Sequence, residues 1–209
     1  MGSTAGRPDE APVHEVTLPP FWLAEAPLTR GEYAAFLEDT GERPPRYWHD
    51  PGFGDADQPV VGVTWFEATG FASWLSSKLG REFRLPSEAE WERAARGGLP
   101  ESRLGLPPPE LPWGALEGPW RVKQGQPNPY GLFDMGTIVH EWCLDWYGAG
   151  YYAVSPTTKP LGPEEGERRA SRGGSWRHHV RFSPPWARSS LPPDLRYADY
   201  GFRLAADAS

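Results

Sequence analysis

Arg84-Leu85-Pro86-Ser87-Glu88-Ala89-Glu90-Trp91-Glu92 is the stretch on which the fold turns. A proline closes an extended run, a serine follows it, and a glutamate stands three residues beyond the serine. A hydroxyl at a helix N-cap accepts an early backbone N–H, while a Glu at the third helical position reaches back to the cap's own N–H. Ser87-x-x-Glu90 therefore predicts a helix start. Behind it Trp91, Ala94 and Ala95 fall inward, and Gly97 ends the helix. The signature occurs twice more upstream. Thr29-x-x-Glu32 precedes Tyr33, Phe36 and Leu37 on one face and Gly41 at the end, with Leu28 and Tyr33 placed as a hydrophobic staple. Thr64-x-x-Glu67 precedes Ala68, Phe71, Ala72, Leu75 and Leu79 at helical spacing, closed by Gly80. These are scaffold helices, and no chemistry is assigned to them.

Outside the helices the chain is irregular. Val13–Leu18, Phe21–Leu23, Glu82–Leu85 and Gly201–Ala205 are short strand candidates. Beyond residue 98 no helical period emerges, and 99–112 reads as a loop. The 209 residues include 24 Gly and 25 Pro, about twice the usual combined share of roughly 12%. Prolines at that density exclude a helical bundle. The 11 Trp, 8 Tyr and 9 Phe exclude a disordered chain, which lacks the apolar area to offset its ordering entropy. A single domain over 12–209 is expected, with 1–11 as a flexible N-terminal tail. The one cysteine, Cys143, forbids an intramolecular disulfide and fits a reducing compartment. No apolar signal segment opens the chain, and Val60–Phe66 is far short of the ~20 residues that span a bilayer. A net charge of −7 argues against nucleic-acid binding. The expectation is a cytoplasmic monomer that binds neither membrane nor nucleic acid.

Charge is unevenly spread. Between 168 and 203 stand eight arginines (168, 169, 172, 177, 181, 188, 196 and 203) against Asp194 and Asp199, a local +6 that leaves −13 elsewhere. Guanidinium groups stack on Trp and pair with carboxylates inside loop-rich folds. Alternatively, the cluster forms a surface for an anionic ligand.

Several segments, read in order, resemble the formylglycine-generating-enzyme (sulfatase-modifying factor) family. They are Pro12–Val16, Phe21–Leu23, Leu28–Tyr33, Pro59–Trp65, Arg84–Glu92, Pro112–Gly114, Asn128–Met135, Glu141–Trp146, Arg172-Gly173-Gly174-Ser175-Trp176 and Gly201-Phe202-Arg203. The resemblance implies an α+β, loop-rich fold: the compact variant of the C-type-lectin-like fold, low in regular secondary structure, with loops shaping a surface groove. The enzyme resembled uses two cysteines, five positions apart and shortly after Gly-Gly-Ser, to bind copper and oxidise a substrate cysteine. Here those positions fall on His178 and Ser183. Soft thiolates select Cu(I), and neither imidazole nor hydroxyl reproduces them, so no copper is expected. Cys143 takes the ordinary role of a small buried residue.

The resemblance further implies calcium, with Asp134 and Glu141 as side-chain ligands and Thr137 and Val139 where carbonyls coordinate, an oxygen set of the kind this ion takes. In the other reading, Asp134 and Glu141 cap a turn and pair with arginine. Iron, which a related branch binds through histidines, is not expected, because much of that site lies in a helical domain for which this chain has no room. The functional expectation is a binding or accessory module for a peptide or anionic ligand, its groove lined by Trp176, His178, His179, Arg181 and Trp186. The alternative is a divergent metal-dependent oxidoreductase drawing on Ser175, His178, Ser183 or His140. A further alternative is a ligand-display protein like the variable proteins of retroelements, varied across 177–200.

Overall fold

The computed structural model describes residues 1–98, 117–177, 179 and 182–208. The loop expected at 99–112 lies outside the described residues. All three capping boxes form. α1 (Arg30–Thr40), α2 (Trp65–Leu79) and α3 (Glu88–Arg96) start on Thr29, Thr64 and Ser87. The cap hydroxyls accept from Glu32, Glu67 and Glu90 N–H at 3.2, 3.0 and 3.2 Å. The three Glu side chains return bonds of 2.7–2.8 Å to the cap N–H groups. The helices end on Gly41, Gly80 and Gly97 in the left-handed conformation, where a side chain would be strained.

Strands are short. β1 (Phe21–Leu23) pairs with β6 (Ala205–Asp207). β2 (His140–Trp146), β3 (Arg169–Arg172), β4 (Arg188–Leu191) and β5 (Tyr200–Gly201) form a second sheet in the order β4-β3-β2-β5, in which β2–β5 is a parallel pair. Three strand expectations change. Val13–Leu18 makes only one bridge, Thr17 to Thr158, since Pro12, Pro19 and Pro20 withhold ladder donors on both sides. Glu82–Leu85 likewise makes only the bridge Arg84 to Ala205, stopped by Pro86. Gly201–Ala205 is divided between the sheets: Gly201 pairs with β2 and Ala205 with β1. The turn between them sends Phe202, Arg203 and Leu204 into the interior.

The largest core cluster is aromatic. Tyr33, Phe36, Phe71, Trp142, Tyr200 and Phe202 meet Leu28 beneath α1 and α2, and Tyr33 stacks on Phe71 with centroids 5.6 Å apart. Each such burial contributes about 1.5–3 kcal/mol, which supplements the short strands and helices. A second cluster joins Trp91, Ala94 and Ala95 of α3 to Met135, Cys143 and Ala170. Among the described residues no helix is long and apolar enough to cross a membrane.

Residues 1–11, expected as a flexible tail, run across the body. Gly2 N–H donates to Glu92 Oε1 at 2.8 Å. A short 3-10 turn at Pro8–Glu10 buries the Glu10 side chain.

Candidate functional site

The site is built around the end of β3. There the chain turns through Gly173, whose φ of +83° and approach to Gly136 (an added Cβ would lie 2.8 Å from its Cα) require glycine. At Gly174 an added Cβ would fall 1.8 Å from Ser183 Oγ. Ser183 thus reaches its buried place only because position 174 has no side chain. His140 opens β2 alongside this turn, its ring tilted against Tyr200 at 4.9 Å. Gly173, Ser183 and His140 share a cavity of about 520 Å³ with Phe182, Trp186 and residues 5–7 and 10 of the N-terminal segment.

The expected site residues are thereby sorted. His140, Ser183 and Trp186 come together at the cavity. Trp176 does not line it: the ring is buried against Val61, Ile138 and Val139, and its Nε1 donates to Ala198 O at 3.2 Å. Ser175 is also buried and donates from Oγ to Asp199 Oδ2 at 3.0 Å. Its hydroxyl proton is thus directed at a buried carboxylate, and Ser175 is not among the cavity walls. His179 is exposed and is not among the cavity walls. His178 and Arg181 lie outside the described residues.

Beneath the cavity lies a layer of buried charge that sequence reasoning located only in its arginines. Arg172 and Arg188 face each other across β3 and β4, an arrangement that like charges disfavour. Glu88 of α3 enters between them. It accepts from Arg188 Nε and Nη2 at 2.6 and 2.9 Å and lies 3.5 Å from Arg172 Nε. Arg172 Nη2 pairs with Glu92. Burial pushes the Glu92 carboxyl up, but Arg172 and Arg96 outweigh it and hold the carboxyl below its ordinary value. Arg188 stacks on Tyr152 at 4.1 Å, and Arg169 lies between Trp65 and Trp146 at 3.8 and 3.5 Å. These arginines therefore pair and stack inside the fold, as the first of the two sequence alternatives has it.

Cys143 is fully buried in β2. Burial, together with the nearby Asp145 and Glu88, pushes its thiol well above the ordinary range, so it supplies no thiolate. Burial and Glu88 raise the Asp145 carboxyl to about 8.

The calcium donors are divided. Glu141 is fully buried and gives both oxygens to Arg203, at 2.6 and 2.8 Å, while Oε2 also accepts from Trp91 Nε1 at 2.8 Å. A carboxylate so occupied by a guanidinium does not fit as a calcium ligand, and Glu141 follows the arginine-pairing alternative. Asp134, at φ +58°, accepts from Lys123 N–H at 2.7 Å. Its Oδ1 and Thr137 Oγ1 are buried with no hydrogen bond of normal geometry, and Trp120 lies beside the Asp134 carboxylate. The expected set is therefore split: Glu141 is committed to Arg203, while Asp134 and Thr137 keep oxygens that Arg203 does not take.

Comparison with known proteins gives a consistent picture. The family model described as a sulfatase-modifying factor enzyme 1-like domain matches residues 1–208. The serine/threonine-protein kinase pkn1 of Chlamydia pneumoniae is 35% identical over 247 residues, covering 98% of this chain and 36% of that protein. The chain thus spans about a third of that relative's length. The formylglycine-generating enzyme of Streptomyces coelicolor is 32% identical, with 95% and 82% covered. Among solved structures, PvdO from Pseudomonas aeruginosa superposes with a TM-score of 0.86 at 29% identity, covering 100% of this chain and 90% of that one. Treponema denticola variable protein 1 gives 0.83 at 28%, covering 99% and 91%. The architecture is the loop-rich variant of the C-type-lectin-like fold that the motifs imply.

Proposed function

The chain belongs to the sulfatase-modifying factor enzyme 1-like family, and from that premise we propose that it is a binding module that keeps the scaffold without thiol-based copper chemistry. One observation carries the proposal. Where the resemblance, counted from Gly173-Gly174-Ser175, puts the family's cysteine pair, the chain has His178 and Ser183, and its single cysteine is buried in β2. A Cu(I) centre built from thiolates has no donors here.

The His140–Ser183–Trp186 cavity is the proposed binding surface, and a peptide is the favoured ligand. The buried arginines beneath the cavity are not free to meet an anionic ligand, and of the guanidinium groups lining it Arg188 is paired while Arg7 faces solvent. Arg172, Arg188 and Arg203 are spent on Glu92, Glu88 and Glu141. The cavity instead offers the ring of Trp186, the exposed ring of Phe182 and the imidazole of His140, which suit an extended segment bearing apolar or aromatic side chains.

Selection of a random peptide display library on the purified protein tests this. Enriched peptides are expected to lose at least tenfold in affinity on Trp186→Ala and His140→Ala variants with unchanged melting temperature. Enrichment of nothing, or binding indifferent to both substitutions, would overturn it.

A further inference from the structure

Residues Ala5–Arg7 and Glu10 line the cavity together with Phe182 and Trp186, with Gly6 close against the Trp186 ring. We infer that the segment Ser3–Pro8 is a movable strap, pinned at both ends, that screens the cavity and must swing aside for an extended peptide to enter. The inference rests on the cavity being the binding surface proposed above.

The segment has two kinds of contact. Its ends are anchored in the buried charge layer. Gly2 is buried and bonded to Glu92 at 2.8 Å. Glu10, 3% exposed, accepts from Arg188 N–H at 3.4 Å. Asp9 accepts from Tyr147 Oη at 2.6 Å through its carboxylate, and from Arg188 Nη1 at 2.7 Å through its carbonyl. Releasing these anchors would strip partners from buried charges, which is costly.

Between the anchors, residues 4–8 are all exposed. Their hold on the body is slight. Arg7 Nη2 donates to the Arg188 carbonyl, and Arg7 also bonds Glu10 through its backbone N–H at 2.9 Å and through Nε at 3.1 Å. The Arg7 side chain is 59% exposed, and a pair so wet contributes little. Gly6 passes close over the site: a Cβ there would lie 3.2 Å from Trp186 Cδ1 and 1.8 Å from Glu10 Oε2. Beyond Ser3, whose N–H donates to the Glu10 carbonyl at 2.8 Å, the span is tied to the body by one solvent-facing arginine, so it opens at far lower cost than its anchors.

The test reads cavity access without any peptide. A Ser183→Cys variant places a thiol in the cavity wall, while the buried Cys143 provides an inert background. Its labelling rate with a maleimide is measured alone, then combined with Arg7→Ala or with Gly6→Leu. Loss of the latch, or a side chain wedged beneath the strap, is expected to speed labelling about two- to fivefold, the scale of one exposed ion pair. A faster rate in either variant, with the melting temperature held within a few degrees, supports the strap. An unchanged rate in both overturns it, as does unfolding in both, which would make the segment a fixed part of the core. Because no ligand is involved, a failed peptide selection alongside faster labelling would refute the proposed function and leave the strap standing.

Discussion

Arg203→Met is the sharpest perturbation available, because it removes one half of a fully buried ion pair. In the native protein Arg203 gives Nε and Nη2 to Glu141 at 2.6 and 2.8 Å, and donates to the carbonyls of Ala24 and Phe133 at 3.1 Å each. The substitution leaves the Glu141 carboxylate with Trp91 Nε1 alone and both carbonyls without that donor. An uncompensated buried charge costs about 3–5 kcal/mol. At about 2–4 °C per kcal/mol for a chain of this size, the melting temperature should fall by roughly 6–20 °C. Glu141→Met should fall within the same range. The double variant Arg203→Met/Glu141→Met removes both charges, so it should be less damaging than the two single losses added together, by about 2–3 kcal/mol, although Trp91 still lacks its acceptor. Thermal melts and urea titrations of the four proteins measure this. Single variants that melt within 2 °C of the parent, or a strictly additive double variant, would refute the reasoning.

Other expectations follow from the same geometry. Asp145 holds its proton up to about pH 8 in the folded protein, whereas an unfolded carboxyl releases it near about 3.9. Over that interval the folded state binds more protons, so this group's contribution is complete below about pH 4 and is lost as pH rises towards 8. Asp145→Asn should flatten the decline in stability between pH 4 and 8, and an unchanged slope would contradict it. Glu92 acts with the opposite sign, since its lowered carboxyl contributes above its unfolded value and loses that contribution as pH falls. Gly174→Ala should destabilise by about 1–3 kcal/mol through overpacking against Ser183, and Ser183→Gly should restore much of that loss in chemical denaturation. Finally, because Glu141 is committed to Arg203, calcium or a chelator should leave the melting temperature unchanged. A rise of several degrees with calcium, abolished by Asp134→Asn, would show that the ion is held without Glu141.

The helices were legible because caps are local. A hydroxyl and a carboxylate three residues apart settle where a helix begins, whatever packs on it later. β2 was not, because it is covered on both faces and its seven residues carry no alternation. The buried glutamates do leave a trace in the sequence. Glu88 and Glu92 stand four apart and flank Trp91 on the helix face that turns inward, so their carboxylates had to meet cations there. Eight arginines farther along were the evident source. Within the candidate site, Trp176 and Trp186 look equivalent in sequence, and only the tertiary placement of Ile138 and Val139 buries the first while the second faces the cavity. The path of residues 1–11 depends chiefly on Glu10 and Gly2 finding Arg188 and Glu92, nearly a hundred residues away or more, and nothing in a polar, proline-containing segment announces such anchors.

The measurement closest to the central claim is incubation of the purified chain with Cu(I), oxygen and a cysteine-containing peptide, followed by mass spectrometry of the peptide. Intact thiol or simple disulfide, with no aldehyde above the protein-free control, is the predicted result. Aldehyde formed catalytically would show that His178 and Ser183 sustain the chemistry that two cysteines support elsewhere in the family, and would contradict the account.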